Sequence, residues 1–95
     1  MKSYFVYMVR CSDGSFYIDI TNDVDRRVAE HNLGMDRRSY TFTRRPVVLA
    51  HSSEFHDVYE AIRWEKQLKG CSRAKKNALA ANDWAAIQRL ARSKS

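Results

Sequence analysis

Five polar side chains lie where the surrounding pattern is apolar, and their types could do chemistry together. Tyr7 and Tyr17 lie within two strand-like runs, and Arg27 and His31 lie four residues apart in a helix-like segment, on the arc of its apolar residues. Glu65 falls among the apolar positions of a later helical pattern. Two phenols, a guanidinium, an imidazole and a carboxylate are groups that bind phosphate, transfer protons and hold cations.

Two strands joined by a short turn must position the phenols. Residues 4–10 and 16–20 are rich in aromatic and β-branched side chains and flank Asp13-Gly14, a pattern typical of a β-hairpin. The first run is apolar at nearly every position. This predicts a central strand that is covered on both faces.

The register of this hairpin decides whether the two phenols share a face of the sheet. With a two-residue turn, Tyr7 falls opposite Ile20, and Tyr7 and Tyr17 lie on opposite faces. With a bulge at Gly14, Tyr7 falls opposite Asp19, and the phenols share a face. The residues themselves leave both registers open.

Helical patterns occupy most of the remaining chain. Residues 23 to about 32 show helical spacing, and Leu33-Gly34 ends this predicted helix. Its possible N-cap residues are Thr21, Asn22 and Asp23. Residues 57–69 form a second helical pattern, and residues 47–51, which follow Pro46, are typical of a third strand. Ser72 can cap a short basic helix through about residue 81. A last helix is predicted from Asn82 or Asp83, with an apolar face of Trp84, Ile87 and Leu90.

Glu65 is the least expected residue of the second helix. On a helical wheel it lies within the apolar arc formed by Val58, Ala61, Ile62 and Leu68. An unpaired carboxylate there costs on the order of several kcal/mol, so it must meet a cation or lie at the floor of a cleft. An ion pair with a core-facing arginine such as Arg27 is the structural alternative.

The distribution of charge indicates a polyanionic partner. The 95 residues carry a net charge of +6; residues 1–60 hold eight Lys or Arg against nine Asp or Glu, and residues 61–95 hold nine against two. Residues 35–46 interleave arginines with aromatic rings, the groups that bind phosphates and stack on bases. The predicted nucleic-acid contacts are Arg37, Arg38, Tyr40, Arg44, Arg45, Lys66 and Lys69.

No apolar run is long enough to span a membrane or to form a signal peptide, which predicts a soluble, cytoplasmic protein. Cys11 and Cys71 are widely separated, so reduced thiols are expected, with a disulfide as the alternative.

Two short motifs and one arginine carry a resemblance to a known family. Phe5-Val6-Tyr7, Tyr17-Ile18-Asp19 and Arg27, ten residues after Tyr17, resemble the GIY-YIG nuclease superfamily. The chain is most similar to its small stand-alone bacterial members, which are themselves similar to the catalytic domain of the excision-repair nuclease subunit. The resemblance covers essentially the whole chain, including the runs at 40–46 and 60–69. It implies a single domain over residues 1–95 with an α+β fold, a three-stranded antiparallel sheet flanked by helices.

The resemblance also implies an activity, a metal-dependent endonuclease, with a role for each candidate residue. Tyr17 would act on the attacking water, with Tyr7 and His31 orienting it or relaying a proton, and Arg27 would bind the scissile phosphate. Glu65 matches the metal ligand of the family, for Mg²⁺ or Mn²⁺. The implied substrate is nucleic acid, with DNA favoured over RNA and DNA repair as the context. One shared site favours the bulged register.

Asp19 departs from the family pattern, because relatives carry glycine at this position. Its carboxylate could repel a phosphate, serve as a second metal ligand or point aside. Repulsion would leave a nucleic-acid-binding module without catalysis, which is the alternative function. A third reading, a structural protein-interaction domain, leaves Glu65 unexplained.

Overall fold

A computed structural model describes residues 2–83 and residue 85. The described elements, in chain order, are β1 (Tyr4–Arg10), β2 (Phe16–Thr21), α1 (Val24–Leu33), β3 (Val48–Phe55), α2 (Val58–Lys69) and α3 (Arg73–Ala80), with a short 3-10 turn at Phe42–Arg44. The sheet has the strand order β2-β1-β3, and both pairings are antiparallel. The predicted α+β fold with a three-stranded antiparallel sheet is confirmed. The predicted last helix, with Trp84, Ile87 and Leu90, lies outside the described residues.

The hairpin between β1 and β2 has the bulged register. Gly14 has a φ of 85°, and the Gly14 amide donates to the carbonyl of Cys11. The Cys11 amide donates to the carbonyl of Ser15 at 2.8 Å, which closes a three-residue loop. Tyr7 therefore pairs with Asp19, and Tyr7 and Tyr17 lie on the same face of the sheet.

Strand β1 is the centre of the core, as its continuous apolar run predicts. Val6, Tyr7, Met8 and Val9 are all fully buried. The side chains of Val6 and Met8 pack with Ala61 and Leu68 of α2 and with Leu79. Tyr7 and Val9 form a second cluster on the opposite face, together with Cys11, Val47 and the α1 valines. Successive side chains of β1 point to opposite faces of the sheet. Helix α1 therefore packs on one face and α2 on the other.

The third strand is longer than its predicted range, which was wrong at both ends. Val47 precedes the strand, and β3 continues to Phe55. Its second half is polar apart from Phe55 and shows no alternating apolar pattern, yet Ser52 pairs with Tyr7 and Ser53 pairs with Val6. Backbone hydrogen bonding to the central strand extends β3, and this pairing does not depend on side-chain type.

Side-chain caps define the starts of the three helices. Asp23, one of the three predicted candidates, caps α1 by accepting from the amide of Arg26. Asp57 caps α2 and Ser72 caps α3 in the same way. Gly34 ends α1 with a φ of 68°, and its amide donates to the carbonyl of His31.

Cys11 and Cys71 are both free, as the sequence predicts. None of the described helices is long and apolar enough to cross a membrane.

Candidate active site

A buried chain of hydrogen bonds links Tyr7, His31 and Thr41. The Tyr7 hydroxyl lies 2.9 Å from His31 Nε2, and His31 Nδ1 lies 2.7 Å from Thr41 Oγ1. Tyr7 is 0% exposed, and His31 is 4% exposed. Burial and the nearby Arg27 charge lower the pKa of His31, and burial and the Asp19 carboxylate raise the pKa of Tyr7. Both groups are therefore neutral near pH 7, and they position one another instead of meeting solvent.

The neutral state of His31 predicts a loss of stability in acid. Because the folded-state pKa lies below the ordinary 6.5, the unfolded chain binds more protons between these two values. The free energy of unfolding should fall as the pH drops through 6.5, by at most about 1.4 kcal/mol per pH unit for this group, and should level off below the folded-state pKa. Burial lowers the pKa of His51 in the same direction, so both histidines contribute.

Urea unfolding between pH 5 and 8 measures this dependence. His31→Gln should keep only the slope due to His51, and His51→Gln is the matched variant that should keep the slope due to His31. An unchanged slope in His31→Gln would contradict a neutral buried imidazole.

Tyr17 lies in front of this chain with its hydroxyl group held in one direction. The hydroxyl donates to Asp19 Oδ2 at 3.0 Å. The ring meets His31 edge-on at 5.4 Å between centroids and stacks on Tyr40 at 5.9 Å. Burial, followed by the Asp19 carboxylate and its hydrogen bond, raises the pKa of Tyr17 to about 12. Tyr17 is therefore a neutral phenol with a fixed proton.

The Asp19 carboxylate points into the site and not aside. Oδ2 accepts from Tyr17, and Oδ1 accepts from the amide of Ile20 at 2.8 Å. Asp19 also lies opposite Tyr7 in the strand register, and its charge raises the pKa of both phenols. Asp19 is thus hydrogen-bonded to the hydroxyl group of Tyr17, the residue to which the family resemblance assigns the attacking water.

Arg27, which lies on α1, is beside the phenols of Tyr7 and Tyr17. Its Nη1 is 3.2 Å from Glu30 Oε1, and its side chain is 29% exposed. The guanidinium charge acts on Tyr7, Tyr17 and also on His31. Arg27 is therefore partly exposed to solvent next to the phenols, which is where a phosphate could be bound.

Glu65 is paired with a lysine of its own helix. Glu65 Oε2 lies 3.0 Å from Lys69 Nζ, and the Glu65 side chain is 14% exposed. The alternative ion pair with Arg27 is not found among the described residues, because Arg27 pairs with Glu30. The Glu65 charge raises the pKa of Tyr17, so the carboxylate lies within electrostatic reach of the phenol.

A cavity connects Tyr17 with the basic end of α2. Its volume is about 250 Å³, and it is lined by Phe16, Tyr17, Ile18, Tyr40, Lys69 and Lys76. Lys76 was not among the predicted nucleic-acid contacts. Aromatic rings and two ammonium groups beside Tyr17 are suited to a nucleotide and its flanking phosphate.

The loop arginines fall into two classes. Arg44 stacks on Tyr40, with its guanidinium carbon 3.8 Å from the ring centroid, and pairs with Asp13 at 3.0 Å. Arg45 lies over Phe42 and donates to its carbonyl. Both therefore hold the loop in place. Arg37 and Arg38, like Lys66 on α2, are exposed, and their side chains have no hydrogen-bond or ion-pair partner within the part of the chain that the structure describes.

Sequence reasoning missed Thr41 as a site residue. Thr41 is 1% exposed and hydrogen-bonds His31 Nδ1, ten positions away in the chain. It lies in a loop without hydrophobic periodicity, so no spacing rule links it to α1. Tyr40 was predicted to contact nucleic acid, and its stacking on Tyr17 was likewise not indicated.

The fold and this arrangement of residues define a small GIY-YIG-type domain. Residues 3–78 match the family model described as the GIY-YIG catalytic domain, so the chain belongs to the GIY-YIG family. More particularly, it is similar to the small UPF0213 proteins. The UPF0213 protein of Halobacterium salinarum is 51% identical over 74 residues, which cover 78% of this chain and 95% of the relative. That of Staphylococcus haemolyticus is 43% identical over 76 residues, which cover 80% and 92%.

Two solved structures are also similar. The solution NMR structure of the UPF0213 protein from Bacillus halodurans has a TM-score of 0.54 at 35% identity, and the match covers 98% of this chain and 99% of that chain. The solution NMR structure of a protein from E. faecalis has a TM-score of 0.59 at 32% identity, with 88% and 90% covered. The three-stranded fold is therefore shared along nearly the full length of these proteins.

Proposed function

We propose that the protein is a metal-dependent endonuclease that hydrolyses phosphodiester bonds in nucleic acid, with DNA as the favoured substrate. This proposal rests on the surroundings of the Tyr17 hydroxyl group. The charged groups of Asp19, Arg27 and Glu65 all act on it electrostatically. A phenol, a guanidinium and a carboxylate supply the groups that phosphodiester hydrolysis requires. The proposal extends to one domain over residues 1–95 that acts in the cytoplasm and in DNA repair.

The residues present fit a hard divalent cation. Among the described residues, no group of three or more His, Cys, Asp or Glu side chains is placed to hold a metal ion. Mg²⁺ needs no such cage, because it is commonly held by one or two carboxylates together with water and substrate phosphates. Glu65 supplies one partly buried carboxylate, which Lys69 now neutralises. Mg²⁺ or Mn²⁺ held there would stabilise negative charge on the phosphate and the leaving oxygen.

The chain's own residues divide the remaining work. Arg27 offers guanidinium donors to the scissile phosphate, and Glu30 holds the guanidinium through Nη1. Tyr17 presents its oxygen to the attacking water. Tyr7 and His31, hydrogen-bonded to each other, form a rigid backing for the Tyr17 ring. The cavity beside Tyr17 receives a neighbouring nucleotide, and Lys69 and Lys76 bind its phosphate.

Incubation with plasmid, branched DNA and RNA tests the activity. Cleavage is expected with Mg²⁺ or Mn²⁺ and should stop when EDTA is added. The branched substrate tests the repair context, and RNA tests the preference for DNA. Binding without cleavage in every metal would contradict the nuclease proposal.

That negative result would favour the second candidate function, a nucleic-acid-binding module without catalysis. The observation behind this candidate is the Asp19 carboxylate next to Tyr17, where it opposes an approaching phosphate. Under this candidate, Asp19→Gly should allow cleavage by a protein that otherwise only binds.

Nucleic-acid binding itself should depend strongly on salt, whichever of the two functions holds. Lysines and arginines that contact phosphates release counterions, so the affinity falls as the salt concentration rises, by a slope of about 0.9 per phosphate contact on duplex DNA. The double variant Arg37→Ala/Arg38→Ala should lower this slope by about two, because both side chains are exposed and have no ion-pair partner among residues 2–83. Titration of a labelled duplex at several salt concentrations measures it.

Arg63→Ala is the matched control, since Arg63 is exposed on the other side of α2 from Glu65. If binding followed net charge and not the 35–46 loop, Arg63→Ala would lower the slope by about one, the same amount per charge removed as in the double variant.

A further inference from the structure

The attacking water has no evident proton acceptor if Tyr17 must act alone. With a pKa of about 12, Tyr17 is ionised in only about one molecule in 10⁵ at pH 7. Its buried neighbours do not help: the Tyr7 hydroxyl and His31 are hydrogen-bonded to each other, and His31 is also held by Thr41. A neutral phenol is a poor base by itself, but its oxygen can accept one hydrogen bond while its proton is donated in another.

We infer that Asp19 is the terminal proton acceptor of the reaction and acts through Tyr17. This inference rests on the proposed endonuclease function. The Tyr17 hydroxyl already donates to Asp19 Oδ2 at 3.0 Å, so the proton that must leave Tyr17 points at a carboxylate. The amide of Ile20 holds Oδ1 and fixes the orientation of the group.

The step balances without a further reactant. One O–H bond of the water breaks as its proton passes to the Tyr17 oxygen, and the original Tyr17 O–H bond breaks as that proton passes to Asp19 Oδ2. The resulting hydroxide forms the new P–O bond, the scissile P–O bond breaks, and the leaving oxygen takes a proton from solvent. No phenolate accumulates, because Tyr17 gains one proton as it loses the other. Asp19 then returns its proton to solvent.

The charged groups around Asp19 are compatible with this role. Tyr7 faces it from β1 as a neutral phenol. Arg27 and His31 face the same site from α1, where the guanidinium is charged and the buried imidazole is neutral. Glu65 approaches from α2 and adds negative charge near Tyr17, which disfavours a phenolate further. The surroundings thus favour a relay over an ionised tyrosine.

Asp19→Asn is the decisive variant, because an amide oxygen can still accept the Tyr17 hydrogen bond but cannot take its proton. We expect kcat to fall by about 10²-fold or more with little change in KM. We also expect the shape of the pH profile to change. The rate of Asp19→Asn should rise more steeply with pH than the parent rate, because hydroxide must replace the lost base. Asp19→Glu should restore part of the rate.

One control variant and three contrary outcomes define the test. Asp25→Asn removes an exposed carboxylate of α1 and should leave the rate and pH profile unchanged. Equal or faster cleavage by Asp19→Asn, with the parent's pH profile, would overturn the relay and leave the nuclease intact. A rate restored by raising the Mg²⁺ concentration would assign Asp19 to metal binding and also overturn it. A parent that cleaves nothing overturns the proposed function together with the relay.

Discussion

Replacing Glu65 with glutamine should lower metal-dependent cleavage by about 10³-fold or more. The Glu65 charge acts on Tyr17, and in the proposed function Glu65 would hold the divalent ion, which would stabilise the transition state by several kcal/mol. The variant keeps the size and polarity of the side chain, so the fold should persist. Cleavage of a labelled duplex against Mg²⁺ concentration, with binding measured separately, gives the result.

Glu60→Gln is the matched control for this prediction, because Glu60 is an exposed carboxylate in the first turn of the same helix. The control should cleave like the parent, and Glu65→Gln should still bind nucleic acid. Thermal unfolding should show Glu65→Gln at least as stable as the parent, because a partly buried charge has been removed. Full activity in Glu65→Gln would refute the assignment of the metal ligand.

Arg27→Lys should lower cleavage by about 10² to 10³-fold. Lysine keeps the charge but loses the planar fork that binds a phosphate through two hydrogen bonds, so the loss should appear mainly in kcat. Single-turnover cleavage at saturating protein separates this effect from weaker binding.

Arg26→Lys is a close control for Arg27→Lys. Arg26 is adjacent in the chain and also pairs with Glu30, but it is more exposed and donates to Asn22. The control should change cleavage by less than about twofold. Equal losses in the two variants would point to helix stability or net charge, and not to a phosphate contact at Arg27.

Much of the fold could be predicted from local patterns. The apolar run at 4–10 correctly predicts the central strand, and the helix bounds agree with the structure within one or two residues because Asp23, Asp57 and Ser72 are strong caps. The third strand was less predictable, because its second half is polar apart from Phe55 and forms by pairing with the backbone of β1.

The candidate site was predictable in part. Tyr7 and His31 do meet, and Tyr17 does lie beside them. The partner of Glu65 was not predictable from the buried arc. Lys69 is four residues further along the same helix, but a helical wheel does not show which cation a long carboxylate side chain will choose.

The sequence by itself determined the central strand, the approximate ends of the helices and the types of the candidate catalytic groups, because each depends on neighbours within one turn or one strand. Only the tertiary structure decided whether Tyr17 lies on the same face of the sheet as Tyr7. Asp13-Gly14 is compatible with two turns, and a shift of one residue exchanges the faces of the strand. The loop before β3 contacts the bulged turn. The Arg44 carbonyl accepts from the Ser12 amide, and the Arg44 side chain pairs with Asp13. These contacts join residues about thirty positions apart, which no local pattern can specify.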